Sequence, residues 1–107
     1  MPTTVVHCMK SGFDVYIGRP KIGDTNEHFG NPFGTHGSVS VKVVSREEAI
    51  SCFREWINGR KYTDLEQDRR KWILENLKTL KDKRLGCWCK PLGCHGDVYL
   101  ELLDTTP

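Results

Sequence analysis

The sequence lacks a long apolar run, since no stretch approaches the roughly 20 apolar residues that a membrane-spanning helix needs. It also lacks an export leader, because MPTTVVHCMK at the amino end has no basic segment followed by a long apolar one. Its cysteines number five, an odd count that does not suit a complete disulfide framework. We therefore expect a cytoplasmic protein with no membrane partner, in which thiols serve chemistry, metal binding or packing.

A strong net charge is also missing. The 16 Lys and Arg residues and 14 Asp and Glu residues leave a formal net charge of +2, which argues against a nucleic-acid partner. The basic run KTLKDKR at residues 78–84 is interpreted as a solvated helix end. A chain of 107 residues, 37% hydrophobic and 28% charged, predicts one globular domain over residues 1–107.

Short β-branched and alternating segments predict strands. TTVVHCM and FDVYIG, separated by the turn residues KSG, predict an N-terminal hairpin. SVSVKVV alternates valine with polar side chains, which is typical of a half-exposed strand. RLGCWC predicts a further strand, whose side chains alternate between the two faces of the sheet. These strands are predicted at residues 3–9, 13–18, 38–44 and 84–89.

Capping residues and apolar periodicity predict two central helices and a C-terminal helix. Ser45 and Glu48 form a capping-box pattern before one apolar stripe of helical spacing. Thr63 and Glu66 repeat the capping pattern before a second stripe. HGDVYLELL, residues 95–103, predicts the last helix. The alternation of strands and helices predicts a small α/β fold, with helices on a mixed sheet and a C-terminal strand-loop-helix unit.

A segment rich in glycine and proline, residues 19–38, follows the second predicted strand. It holds four glycines and two prolines, and so long a loop in a compact domain is typical of a functional segment or a disordered one. Arg19 offers the bidentate geometry that suits phosphate or carboxylate. Asn31 lies between Phe29 and Phe33, where an amide and an aromatic ring could hydrogen-bond and stack on a base. We interpret the segment as one wall of a cleft, the alternative being a solvated surface loop.

The segment CWCKPLGCHGD, residues 87–97, holds three of the five cysteines and one of the four histidines. Cys94 and His95 are predicted at the start of the last helix, where backbone amides and the positive end of the helix dipole attract anions. The same position favours the reactive thiolate form of a cysteine. Asp97, in the first turn, is predicted to cap amides or to contact a ligand hydroxyl. We interpret this strand-to-helix junction as the second wall of the cleft.

Three kinds of site compete for this segment. A ligand site at the helix start is favoured, with Cys89 and Gly96 among its contacts. A zinc site formed by Cys87, Cys89, Cys94 and His95 has suitable ligand types, but four ligands so close in sequence lack the usual pairs from separate elements. A redox pair of Cys89 and Cys94 lacks the two-residue spacer of the oxidoreductase motif. The simplest interpretation of Cys87 is a small core residue.

Four segments carry a resemblance to a known family: DVYIGRP, GNPF, SREEAISCFREWI and LGCWCKPLGCHGDVYLELL. They run from about residue 12 to the C-terminus, and with them the chain resembles domain-of-unknown-function family 4326, a phage and bacterial family without assigned activity. The chain departs from the family pattern at KIGDTNEHF, where Phe29 takes the place of a tryptophan. The resemblance implies a phage-type α/β protein in the cytoplasm of an infected bacterium.

The leading hypothesis is a protein that binds a nucleotide or nucleoside derivative, as a sponge for a signalling nucleotide of host defence. Arg19 and the amides of residues 94–97 would hold the anionic part of the ligand, while Asn31 with Phe29 or Phe33 would hold its base or ribose. This hypothesis needs no cofactor. We also expect a homodimer, with the half-polar strand at the contact.

Two alternatives stay open. A nucleotide-processing enzyme would use Cys94 as nucleophile, or His95 as acid or base with Asp97. A zinc-stabilised inhibitor of a host protein would need the metal in order to fold. Whether the chain is an enzyme is left open by the sequence.

Overall fold

The computed structural model describes residues 3–10, 12–18, 28–35, 39–87 and 93–105. Five short strands and three helices form in this part of the chain, and a 3₁₀ turn at Leu77–Leu80 follows the second helix. The strands are β1 (Thr4–His7), β2 (Val15–Tyr16), β3 (Phe33–Gly34), β4 (Val41–Lys42) and β5 (Arg84–Cys87). The helices are α1 (Arg46–Ile57), α2 (Gln67–Asn76) and α3 (Gly96–Thr105).

The first sheet has the strand order β1-β5-β2, and both outer strands run parallel to β5. Val5 and Val15 are both paired with Leu85, one on each side of the central strand. The predicted N-terminal hairpin is therefore wrong, because the chain returns to the starting end of the sheet before β2 begins. The physical reason is β5, which is buried over Leu85–Cys87 as the central strand of a parallel sheet is expected to be.

The second sheet pairs β3 with β4, also in parallel. The predicted strand at residues 38–44 is much shorter in the structure, with ladder pairing at Val41–Lys42 only. Because every pairing between described strands is parallel, the predicted mixed sheet is wrong in that detail. The α/β class, the two central helices and the C-terminal strand and helix are confirmed.

The core fills the space between the helices and the two sheets. Phe53 and Trp56 of α1 are fully buried, and so are Leu85 of β5 and Tyr99 of α3. None of the helices in the described part of the chain has the length and apolar character that a bilayer crossing requires. The core residues come from nearly every element: Ile17, Phe29, Phe33, Ala49, Phe53, Trp56, Ile57, Ile73, Leu77, Leu80, Leu85, Cys87, Cys94, Val98 and Tyr99.

Candidate functional site at the C-terminal corner

His95 is the central residue of the C-terminal corner, by which we mean Cys87 at the end of β5 and residues 94–97 at the start of α3. Its ring nitrogen Nε2 lies 2.8 Å from the backbone oxygen of Ile17 and 2.9 Å from that of Phe29. Both partners are carbonyl oxygens, which only accept, so Nε2 carries the proton and donates to them. One imidazole thus attaches both flanks of residues 18–28 to the last helix.

Aromatic rings enclose this imidazole. The ring centroids of Phe53 and Tyr99 lie 5.1 and 5.6 Å from that of His95, both in edge-on orientations. The hydroxyl of Tyr99 also donates to the backbone oxygen of Phe29, at 2.7 Å. Burial raises the pKa of Tyr99 well above its ordinary value, so this hydroxyl keeps its proton and its donor role. His95 is only 7% exposed in consequence.

Three backbone amides at the start of α3 donate hydrogen bonds within residues 94–97. The carboxylate of Asp97 accepts the backbone N–H of Cys94 at 3.2 Å, and the sulfur of Cys94 accepts the N–H of Gly96 at 3.3 Å. The N–H of Asp97 donates to the backbone oxygen of Cys94 at 3.0 Å. The sequence analysis expected these three amides to bind an anion. That expectation is wrong, because each amide already donates a hydrogen bond to an acceptor in the same turn. The predicted capping role of Asp97 is confirmed.

The predicted base-binding residues lie in the core. The amide nitrogen of Asn31 donates to the backbone oxygen of Ala49 at 3.2 Å, and its oxygen accepts the N–H of Phe33 at 2.9 Å. Phe29 packs between Trp72 and Tyr99, with ring centroids 4.9 and 5.7 Å away. These contacts fix the backbone on either side of Pro32, while base recognition by these side chains stays a prediction.

Three predicted metal ligands do meet at the corner. Cys87, Cys94 and His95 are all buried, and one ligand atom from each lies within 4.8 Å of the other two. Cys87 belongs to strand β5, whereas Cys94 and His95 directly precede helix α3. Arg19 and Cys89, the other two predicted site residues, lie outside the described residues.

Arg69 is the residue that the sequence interpretation missed. It is 2% exposed, and its guanidinium donates to the backbone oxygen of Gly30 at 2.6 Å and to the carboxylate of Glu66 at 2.9 Å. It also lies over the ring of Trp56, 5.3 Å from the centroid. The sequence does contain an indication that Arg69 is buried. It precedes the buried Ile73 by four residues and therefore lies on the same face of the helix.

The fold and the corner define a small α/β domain with a buried Cys–Cys–His cluster. A family described as a domain of unknown function (DUF4326) matches residues 6–105, and the chain belongs to this family. An uncharacterized 12.4 kDa protein from the nrdA-td intergenic region of Enterobacteria phage T4 is 33% identical over 101 residues, 94% of this chain and 76% of that protein. No solved structure matches the chain. The resemblance noted from the sequence is confirmed.

Proposed function

We propose that the chain is a phage-type accessory protein that binds an anionic, nucleotide-like small molecule beside the C-terminal corner. One observation carries the proposal: the bifurcated hydrogen bond from His95 to the carbonyls of Ile17 and Phe29. Arg19 follows Ile17 by two residues in the sequence, so this arginine comes soon after a residue whose carbonyl is hydrogen-bonded to His95. A guanidinium is the side chain best suited to bidentate contact with a phosphate.

The biological setting of the proposal is the cytoplasm of an infected bacterium. The relative in phage T4 supports a phage setting. Within it, we propose a ligand from the signalling nucleotides of host defence, held by the protein as a sponge. Phe29, Asn31 and Phe33 are buried, and the side chain of Asn31 is hydrogen-bonded within the protein. The proposal therefore rests on recognition of the anionic part of the ligand.

The contacts at the corner favour binding over turnover by Cys94, His95 and Asp97. Cys94 is 1% exposed, and its sulfur accepts a backbone N–H. The Nε2 proton of His95 is shared between two carbonyls, and the carboxylate of Asp97 caps the helix. A nucleophile or general base must reach the substrate, and these side chains instead hold the corner together.

The test is a binding experiment with a panel of linear and cyclic nucleotides. The protein is incubated with the panel, isolated and denatured, and the released molecules are identified by mass spectrometry. We expect one nucleotide to be released chemically intact. In the Arg19→Ala variant we expect its affinity to fall by about 10–100-fold, because a hydrogen bond to a charged group contributes about 1.5–3 kcal/mol.

Arg46→Ala is the matched control, since Arg46 is an exposed arginine at the start of α1. Its affinity should stay within about twofold of the wild-type value. Equal effects of the two substitutions, or no nucleotide retained from the panel, would contradict the proposal. An altered nucleotide would show turnover instead. Native mass spectrometry of the same sample gives the stoichiometry, and with it a test of the predicted homodimer.

A further inference from the structure

We propose that Cys87, Cys94 and His95 bind one zinc ion inside the protein, at the corner where β5 ends and α3 begins. This site is independent of the nucleotide proposal. Within the part of the chain that the structure describes, these three residues each bring one ligand atom within 4.8 Å of the other two, and all three are buried. Thiolate and imidazole together are the ligand types that zinc prefers among the common metal ions.

The spacing of the ligand atoms suits tetrahedral zinc. With Zn–S bonds of about 2.3 Å, two thiolates on one tetrahedral zinc lie about 3.8 Å apart. The two sulfur atoms, already within 4.8 Å of each other, therefore need to approach by no more than about 1 Å. An approach of this size is comparable to the movement of a sulfur atom on a modest rotation of a cysteine side chain.

The hydrogen bonds of His95 favour the tautomer of the imidazole that can bind a metal through Nδ1. Its Nε2 donates to the carbonyls of Ile17 and Phe29. A neutral ring that carries its proton on Nε2 has a lone pair on Nδ1, which is the atom that would bind zinc. Metal-binding histidines almost always donate their second ring N–H to a carbonyl or carboxylate, which fixes the tautomer and the ring orientation.

A backbone hydrogen bond also positions the sulfur of Cys94. The backbone N–H of Gly96 donates to its sulfur at 3.3 Å, at the positive end of the α3 dipole. Zinc binding would displace the thiol protons of Cys87 and Cys94 to solvent, so that Zn²⁺ with two thiolates and a neutral imidazole carries no net charge. A buried site without net charge avoids most of the desolvation penalty of an isolated ion.

The ligands come from two elements that the sequence separates by a loop. Cys87 ends β5, whereas Cys94 and His95 directly precede α3, so a bound ion would join the end of β5 to the start of α3. Through His95 it would also hold the two flanks of residues 18–28. We therefore assign the ion a structural role, and the proposal is confined to these three ligands.

The first measurement is the zinc content of the full chain, purified under reducing conditions from cells grown with added zinc. We expect one zinc per chain by elemental analysis, and a lower melting temperature after removal of the metal with a chelator. With cobalt(II) in place of zinc, we expect a thiolate-to-metal charge-transfer absorption that corresponds to two thiolates. A spectrum that requires three thiolates would contradict this three-ligand proposal.

The variants test each ligand against a control. Cys87→Ser and Cys94→Ser should each lower zinc affinity by more than about 100-fold, since loss of an outer-shell partner alone costs about 10–100-fold. His95→Gln should do the same, because the glutamine amide can still donate to the two carbonyls but lacks the Nδ1 ligand. Cys52→Ser, which changes a cysteine of α1 outside the cluster, should bind zinc like the wild type.

The cobalt spectrum of the wild type keeps the proposal testable even if a variant does not fold. Background metal content together with a melting temperature that zinc does not change would overturn it. So would a Cys87–Cys94 disulfide in protein isolated under reducing conditions, or a cobalt spectrum without thiolate ligands.

Discussion

Gly96 lies where helix α3 packs closely against Val5 and Ile17, which leaves no room for a side chain. A Cβ atom at this position would lie 2.9 Å from a methyl carbon of Ile17 and 2.9 Å from one of Val5. Both neighbours belong to the sheet region on which α3 packs, so the helix can lie this close only without a side chain at its first position. The sequence interpretation placed Gly96 among the ligand contacts, whereas the structure gives it a packing role.

The substitution Gly96→Ala should destabilise the protein. Overpacking of this kind costs about 1–3 kcal/mol, and the better helix propensity of alanine recovers at most about 1 kcal/mol. We expect the free energy of unfolding to fall by about 1 kcal/mol, the middle of the cost less this gain, as measured by urea denaturation. Gly93→Ala is the control, since its nearest neighbour would be Ile50 at 3.5 Å, an ordinary contact. A Gly96→Ala variant as stable as Gly93→Ala would contradict the packing argument.

At the scale of the element, two identical capping patterns have different outcomes. The hydroxyl of Ser45 accepts the N–H of Glu48 at 3.1 Å, and the Glu48 carboxylate accepts the N–H of Val44 at 2.9 Å, so the prediction of a capped α1 is confirmed. The second pattern, Thr63 with Glu66, does not cap α2. That helix begins after Glu66, which has a left-handed backbone and no side-chain cap bond.

Tertiary contacts decide this difference. The Glu66 carboxylate is bound by Arg69 of α2 and by the hydroxyl of Ser40. Burial alone would raise the pKa of Glu66, but the hydrogen bonds from Ser40 and Arg69 outweigh it and the pKa is lowered. The side chain that would complete the box is therefore engaged elsewhere in the fold.

Ser45→Ala and Thr63→Ala form a matched pair that tests the capping difference. Loss of the Ser45 cap should lower the free energy of unfolding by about 1 kcal/mol. Thr63 is exposed and caps no described helix, so its replacement should change stability by less than about 0.5 kcal/mol. Urea denaturation of both variants measures the difference. Equal losses would show that the second pattern stabilises the chain as well.

At the scale of the whole molecule, exposed ion pairs join distant parts of the chain. Arg54 of α1 binds Glu101 of α3 through two hydrogen bonds, at 2.9 and 2.6 Å. The hydrogen bond from Arg54 lowers the pKa of Glu101 below the ordinary value of 4.5. The arginine hydrogen bonds of Arg84 to Asp14 and of Arg60 to Glu55 lower the pKa values of those carboxyls in the same way.

These shifts predict a loss of stability in acid. A carboxyl whose pKa is lower in the folded state stabilises the fold above its unfolded pKa, and this contribution is lost as the pH falls through the folded value. We expect the free energy of unfolding to decrease from about pH 5 to about pH 3. In Glu101→Gln the decrease should be shallower, because one of these carboxyls is removed. Urea denaturation at several pH values measures both slopes.

Glu75→Gln is the control for this prediction, because Glu75 is an exposed carboxylate of α2. Its pH slope should match that of the wild type. High salt should also reduce the difference between Glu101→Gln and wild type, since exposed pairs are screened. A Glu101→Gln slope equal to or steeper than the wild-type slope would contradict the assignment.

Local sequence patterns alone determined several properties of this protein. The α/β class and the α1 cap both depend on patterns of residues a few positions apart. Capping, helical periodicity and strand alternation act between such near neighbours, so a single sequence carries them. The family resemblance, confirmed over residues 6–105, also rests on contiguous motifs.

Only the tertiary structure decided which distant segments meet. β1 and β2 lie on either side of β5, which follows them by 80 and 70 residues in the pairing register, and no turn signal near Lys10 carries that information. Likewise, Cys87 lies close to Cys94 and His95 because α3 packs against β1, which is paired with β5. The physical reason is that burial of apolar surface over the whole chain selects these pairings, whereas local propensity fixes only the elements that take part.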